Sequence, residues 1–224
     1  MLLARDGDRL AAVAVDSDAL RVAADVTDRD AVRGAVAQAI ERFGGVDVLV
    51  NNAGVGLSGV LYDLDPAALE RVFRINVVGA LHAIQAVLPA MRTRGGHIVN
   101  VSSILGKVAV PQTAGYAATK FALQALSDGL RVEEAPYGIA VTVICPGSTE
   151  TDFRANEVQA GSLLVRERPR VAAVSADAVA AVIERALVRR PREVITSGFG
   201  RLLNALDSAA PQILDRILRR TYHR

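Results

Sequence analysis

Ser103, Tyr116 and Lys120 lie within VNVSSILGKVAVPQTAGYAATKFAL at a spacing that can move a proton. Tyr116 and Lys120 are four apart, so on a helix they share one face, about one turn from each other. A cation held beside a phenol favours the phenolate and draws its pKa down from ~10. A hydroxyl at position 103 reaches that phenol if the segment between is a strand end followed by a loop. Tyrosine as acid/base, lysine as its tuner and serine as an anchor for a carbonyl oxygen suit a reaction in which a proton moves while something else moves a hydride.

The elements that must position these groups are written in the hydrophobic pattern. VDVLVN, HIVNVSS and IAVTVIC are short, β-branched and apolar throughout, which predicts parallel strands covered on both faces. Helices are predicted over 28–43, closed by Gly44 and Gly45, over 66–92 with Pro66 in the first turn, over 114–134, and over 176–189 after the cap Ser175. Strand–helix alternation implies an α/β fold: a doubly wound parallel sheet, Rossmann-like, in a single domain over 1–198. Residues 199–224 form a helical tail with Leu202, Leu203, Leu206, Ile213, Leu214, Ile217 and Leu218 at helical spacing. Packing of the tail on the body or on a partner subunit is expected ahead of contact between its arginines and a membrane surface.

At 224 residues and 51% hydrophobic, the chain can bury one core and is not a disordered segment. The net charge of +2 is spread along the chain, and no basic stripe carries interleaved aromatics, so nucleic acid is not an expected partner. The basic residues are nearly all arginine; Lys107 and Lys120 are the only lysines, which makes Lys120 a less casual occurrence. Cys145 is the single cysteine, read as a buried strand-end thiol, and no internal disulfide can form. His82, His97 and His223 lack ligand spacing, so no metal is expected. No signal peptide and no apolar run near twenty residues is visible, and a cytoplasmic location is the default expectation.

Four motifs occur in order: VDVLVNNAG ending at Gly54, Asn76 in FRINVVGAL, the Ser103/Tyr116/Lys120 set, and ICPGSTETDF from Ile144 to Phe153. In this order and spacing the chain resembles the short-chain dehydrogenase/reductase family, over most of its length. The resemblance implies an oxidoreductase that interconverts a small-molecule carbonyl and a secondary alcohol. By that likeness Tyr116 handles the substrate proton, Ser103 holds the substrate oxygen, and Lys120 tunes Tyr116 and holds the nicotinamide ribose. Asn76 would hold a water in a proton relay. Asn52, Ala53 and Gly54 would pass beside the adenosine ribose, and Asp25 and Val26 would frame the adenine. Pro146 and Gly147 would shape the turn under the nicotinamide, and Thr151 would bond the carboxamide, with a helix cap as its bland alternative. A lid over 150–174 is implied too, as is a homodimer or homotetramer built on the helices 66–92 and 114–134. Apolar Ile104, Leu105, Val108, Val110 and Phe153 hint at a lipophilic substrate.

One family feature is not found. The glycine-rich strand–turn–helix that normally opens such chains, and cradles the cofactor diphosphate, has no counterpart in MLLARDGDRL, which resembles the end of the second strand. The expectation is an N-terminal extension in the full gene product. The alternative is a truncated, non-catalytic protein of the same fold with weak or no cofactor binding. At the second-strand end, where an acid would select NAD(H), stand Ala4 and Arg5; an arginine can pair a 2′-phosphate, so NADP(H) is favoured over NAD(H).

Overall fold

The β-branched runs form parallel strands whose alternating side chains enter two separate cores. The structure is a computed structural model that describes residues 1–12, 18–151, 153–165 and 173–222. Its sheet elements in chain order are β1 (Leu2–Ala4), β2 (Arg21–Ala23), β3 (Val48–Asn51), β4 (Leu57–Ser58), β5 (Gly96–Val101), β6 (Ile139–Cys145), β7 (Thr149–Glu150), β8 (Val158–Gln159), β9 (Val174–Ser175) and β10 (Glu193–Ile195). The helices are α1 (Gly7–Ala12), α2 (Arg29–Phe43), α3 (Pro66–Phe73), α4 (Gly79–Arg94), α5 (Ala114–Glu133), α6 (Ala176–Arg189), α7 (Gly198–Ala209) and α8 (Pro211–Tyr222). The predicted 66–92 helix runs on to Arg94 and contains a π turn at Arg74–Val78 between α3 and α4.

The main sheet has the order β10-β6-β5-β3, all parallel, and β1 pairs with β2 in a separate parallel pair. In β5, Ile98 faces a cluster with Val36, Ile84, Val87, Met91 and Leu130, while the next residue, Val99, faces Ile144 and Ala186 on the other side. This is the doubly wound, Rossmann-like arrangement: α2, α4 and α5 on one face, α6 on the other. It places the C-terminal ends of β3, β5 and β6 together, where ligands bind in such sheets. Coverage of β3 differs from expectation. Its Leu49 packs on the first cluster, but Val48 and Val50 are 42% and 40% exposed, because no described element lies over that face.

Caps set the helix limits where the sequence put them. Asp28 accepts from Asp30 N and Ala31 N, and Gly44 closes α2 at a φ of 78° that favours glycine. Among the described residues, 66–94 is the one helical run long and apolar enough to cross a membrane by composition. It packs against α2, α5 and the sheet and buries Val72, Ile84, Val87 and Met91, together with the candidate residue Asn76, so it is a core helix.

Buried polar groups tie the layers together. Asn51 Nδ2 donates to Asn100 Oδ1 (2.9 Å), and Asn100 Nδ2 donates to Ser127 Oγ (2.8 Å), linking β3, β5 and α5. Glu134 is held by both Nε and Nη2 of Arg92, which keeps its carboxyl below the ordinary range. His97 is 1% exposed and its Nε2 lies 2.8 Å from Thr142 Oγ1. That hydroxyl donates to Pro191 O, so it accepts from His97, whose Nε2 carries a proton. Burial, aided by the Arg190 charge, pushes the His97 pKa below its usual 6.5.

The unfolded chain therefore takes up a proton at His97 in a pH range where the folded chain does not. Stability is expected to fall as pH drops from about 7 to about 5.5. In thermal unfolding, His97→Gln should flatten that slope. Identical slopes in the two proteins would remove His97 as its cause.

Candidate active site

Helix α5 brings the phenol and the amine inside the protein. Its first turn packs so closely that a Cβ added at Gly115 would lie 2.9 Å from Leu57 and 3.0 Å from Leu64. Tyr116, the next residue, and Lys120, one turn further on, are 7% and 4% exposed. Lys120 Nζ donates to Val101 O at the end of β5 (2.9 Å) and stands 5.8 Å from the Tyr116 ring centroid. Phe153 covers the other side of that ring, with centroids 5.7 Å apart. Ser103 caps the 3-10 turn Ile104–Gly106 after β5: its Oγ accepts from Leu105 N (3.1 Å), and its hydroxyl acts on the Tyr116 phenol. Ser102 is turned away and donates to Lys120 O (3.3 Å).

Burial dominates the electrostatics of this pair. It pushes the Tyr116 phenol well above its ordinary range; the Ser103 hydrogen bond opposes the rise, and the Glu157 charge adds to it. Burial also pulls Lys120 down to about 8. The expected lowering of the phenol by the lysine is thus outweighed here by desolvation of both groups. Behind Lys120, burial pushes the Cys145 thiol up to about 12, as suits an inert strand-end cysteine.

Asn76 is brought inward by the π turn and is 1% exposed. Its Oδ1 accepts from Val55 N (2.8 Å), and its Nδ2 donates to Val55 O (2.9 Å) and Thr119 Oγ1 (3.0 Å). Both amide hydrogens are used, so the side chain acts as a clamp between the turn after β3 and α5. Thr119, fully buried, completes it by donating to Tyr116 O (2.7 Å). Thr119 carries no motif signal of its own; a threonine inside a helix, directly before the lysine, was the available hint. Gly54 runs against the same cluster: an added Cβ would lie 3.2 Å from Asn76 Oδ1 and 3.5 Å from Lys120 Nζ.

The remaining cofactor candidates fall into two groups. Near the trio, Pro146 O accepts from Ile104 N (2.8 Å) and Gly147 N donates to Thr196 Oγ1 (3.4 Å), so the turn after β6 supports the Ser103 loop. Asn52 and Ala53 are exposed in the turn leading to Gly54. Thr151 is exposed and its hydroxyl accepts from Phe153 N (3.3 Å), the local capping role. After the separate β1–β2 pair, Arg5 and Asp25 come within 4.0 Å, and Asp25 accepts from the backbone and hydroxyl of Thr27 (both 2.8 Å). Val26 seats against Gly79, where a Cβ would lie 2.7 Å from its Cγ2, and its carbonyl accepts from His82 Nδ1 (3.0 Å). Of the expected lid, residues 152 and 166–172 lie outside the described residues. Gln112, at φ 66°, holds another part of it: its amide bonds both the N–H and the carbonyl of Val165.

A close glycine turn, a buried lysine and a tyrosine at one sheet end fit the ribose and nicotinamide end of a dinucleotide. The fit rests on the space beside Gly54 that a Cβ would fill. The lysine also has a cost. Between about 8 and ~10.4 the unfolded chain binds a proton at position 120 that the folded chain does not, so stability rises with pH through that window. Lys120→Met should therefore raise the thermal midpoint at pH ~7, by a few degrees, and the gain should shrink towards pH ~10. An unchanged or lowered midpoint at neutral pH would count against a strained lysine.

The family model described as short chain dehydrogenase matches residues 1–161. Bovine dehydrogenase/reductase SDR family member 7B is 44% identical over 137 residues, covering 61% of this chain and 42% of that protein. A trans-4-hydroxycyclohexanecarboxylate dehydrogenase from Sinomonas cyclohexanicum is 42% identical over 137 residues, covering 61% of this chain and 53% of its own. The chain thus spans about half the length of these curated relatives. A solved short chain dehydrogenase from Burkholderia cenocepacia, in complex with NADP, superposes with a TM-score of 0.80 at 28% identity, over 96% of this chain and 84% of that one. Together with the doubly wound sheet and the Ser103–Tyr116–Lys120 cluster, these matches establish that the chain belongs to the short-chain dehydrogenase/reductase family, and so to the oxidoreductases.

Proposed function

We propose that this chain carries the catalytic site of an NADP(H)-dependent oxidoreductase that interconverts a carbonyl and a secondary alcohol. The observation that carries the reading is a buried Tyr116 with the buried Lys120 one turn along the same helix, its Nζ 5.8 Å from the ring centroid, and the buried Ser103 at the end of the neighbouring strand. When bound, a nicotinamide dinucleotide supplies or accepts the hydride. The chain's own residues handle the rest. The Ser103 and Tyr116 hydroxyls together orient a substrate oxygen. Tyr116 gives that oxygen its proton in reduction and takes it in oxidation. Lys120 holds positive charge beside the phenol and favours its ionised form during transfer. Asn76 and Thr119 keep the Gly54 turn and the helix in register so that these groups meet.

Arg5 supports NADP(H) over NAD(H). It is exposed at the end of β1 and its one ion-pair partner among the described residues is a 4.0 Å contact with Asp25, so its guanidinium is available to a 2′-phosphate. The NADP complex of the Burkholderia relative agrees with this choice. A lipophilic alcohol or ketone suits the Phe153 cover over Tyr116 and the apolar loop at Ile104 and Leu105.

The direct experiment is NADPH oxidation against a panel of ketones. Turnover is expected, and Tyr116→Phe should lower it by roughly 10²–10⁴-fold, the usual worth of a positioned acid/base. Absence of turnover on every carbonyl, together with weak or no NADPH binding, would favour the non-catalytic alternative. Arg5→Asp should raise the NADPH KM by about tenfold or more and leave the NADH KM little changed; equal effects on both cofactors would remove Arg5 as the selector.

A further inference from the structure

The helical tail is amphipathic in a way that the body does not use up. In α8, Leu214 and Tyr222 are 3% and 6% exposed and anchor one side of the helix. At 100° per residue, Ile213, Arg216, Ile217 and Arg220 fall together on a different arc. Ile213 and Ile217 are 49% and 48% exposed and adjacent around the helix, with Arg220 and then Arg216 following on one side. Arg219 flanks it, and the one acid of the helix, Asp215, lies towards the anchored side. None of Arg216, Arg219 and Arg220 forms an ion pair among the described residues. The preceding helix α7 packs on α8 and adds Phe199 and Leu202, 54% and 66% exposed and three residues apart. From 198 onward the sequence carries five arginines against two aspartates, while the rest of the chain has a slight acidic excess.

We propose that α7 and α8 dock the protein on an anionic membrane surface. Isoleucines beside unpaired arginines on one arc match the two layers of a lipid interface: acyl chains for the apolar side chains, phosphate groups for the guanidinium forks. A second copy of the same face is the poorer occupant, because isologous pairing would set arginine against arginine. The docking is independent of the reaction proposed above. One consequence does rest on that reaction: the first turn of α7 packs on Ile104, next to Ser103, with a Cβ at Gly200 only 3.3 Å from Ile104 Cδ1, so docking sets the mouth of the site at the lipid surface.

Co-sedimentation of the full chain with vesicles tests this. Phosphatidylcholine vesicles containing phosphatidylglycerol should carry the protein down, and pure phosphatidylcholine vesicles should carry at least roughly tenfold less. The charge variant R216Q/R219Q/R220Q should lose roughly tenfold or more of the binding. The apolar variant I213S/I217S should lose binding even at low salt, with both variants matching the parent in circular dichroism. Absence of sedimentation, or binding that the charge variant retains in full, overturns the proposal. So does a parent dimer in analytical ultracentrifugation that I213S/I217S converts to monomer, since the face is then an interface between copies.

Discussion

Placing an amine under the floor of the site is the constraint around which the rest is arranged. Lys120 is almost wholly out of water, and its Nζ donates to the carbonyl of Val101. A buried ammonium needs close polar neighbours, and close approach needs small residues. That accounts for two glycines. Gly54 brings the turn after β3 against Nζ, and Gly106 brings the serine loop against the Lys120 backbone, where a Cβ would stand 3.0 Å from its carbonyl and 2.6 Å from Ser102 Oγ. The same crowding shields Tyr116, which is why its phenol is hard to ionise until charge or hydrogen bonds arrive to help it.

The second organising contact is the Asn76 amide. It crosses from a helix to the backbone of Val55 and to Thr119, joining three elements. A regular α-helix would leave residue 76 on a different bearing; the π turn inserts one residue and rotates the amide into the core. Lateral alignment of the strands has a similar device, the Asn51–Asn100–Ser127 chain, whose hydrogen bonds close only in the observed register.

Much of this was legible in the residues. The β-branched runs, the caps Asp28 and Ser175 and the glycine after Phe43 fixed element type and limits to within a residue or two, because each acts locally. The trio was legible because a helix converts a four-residue spacing into proximity. What could not be read depended on tertiary approach. The π turn has no local signature, Thr119 becomes a clamp only when Asn76 arrives, and the pKa of Tyr116 depends on how many atoms surround it. The uncovered side of β3 could not be read from the strand itself, since Val48 and Val50 have the composition of a covered strand; the pointer to it lay in the glycine-rich strand–turn–helix not found ahead of it.

Gln112 sits where two requirements conflict. Its backbone is left-handed, a state that costs a non-glycine residue about 1–2 kcal/mol, yet its side chain is buried and grips Val165 through both amide atoms. Glycine would relax the backbone and let go of Val165. Asparagine tolerates the backbone but is one methylene too short to keep the same grip. Glutamate has the reach and lacks the donor. The position is therefore nearly closed to substitution for reasons of reach rather than reactivity. Variation there would be felt in how the segment at Val165 hangs from the loop leading into the tyrosine helix, while every group that touches the substrate stayed the same.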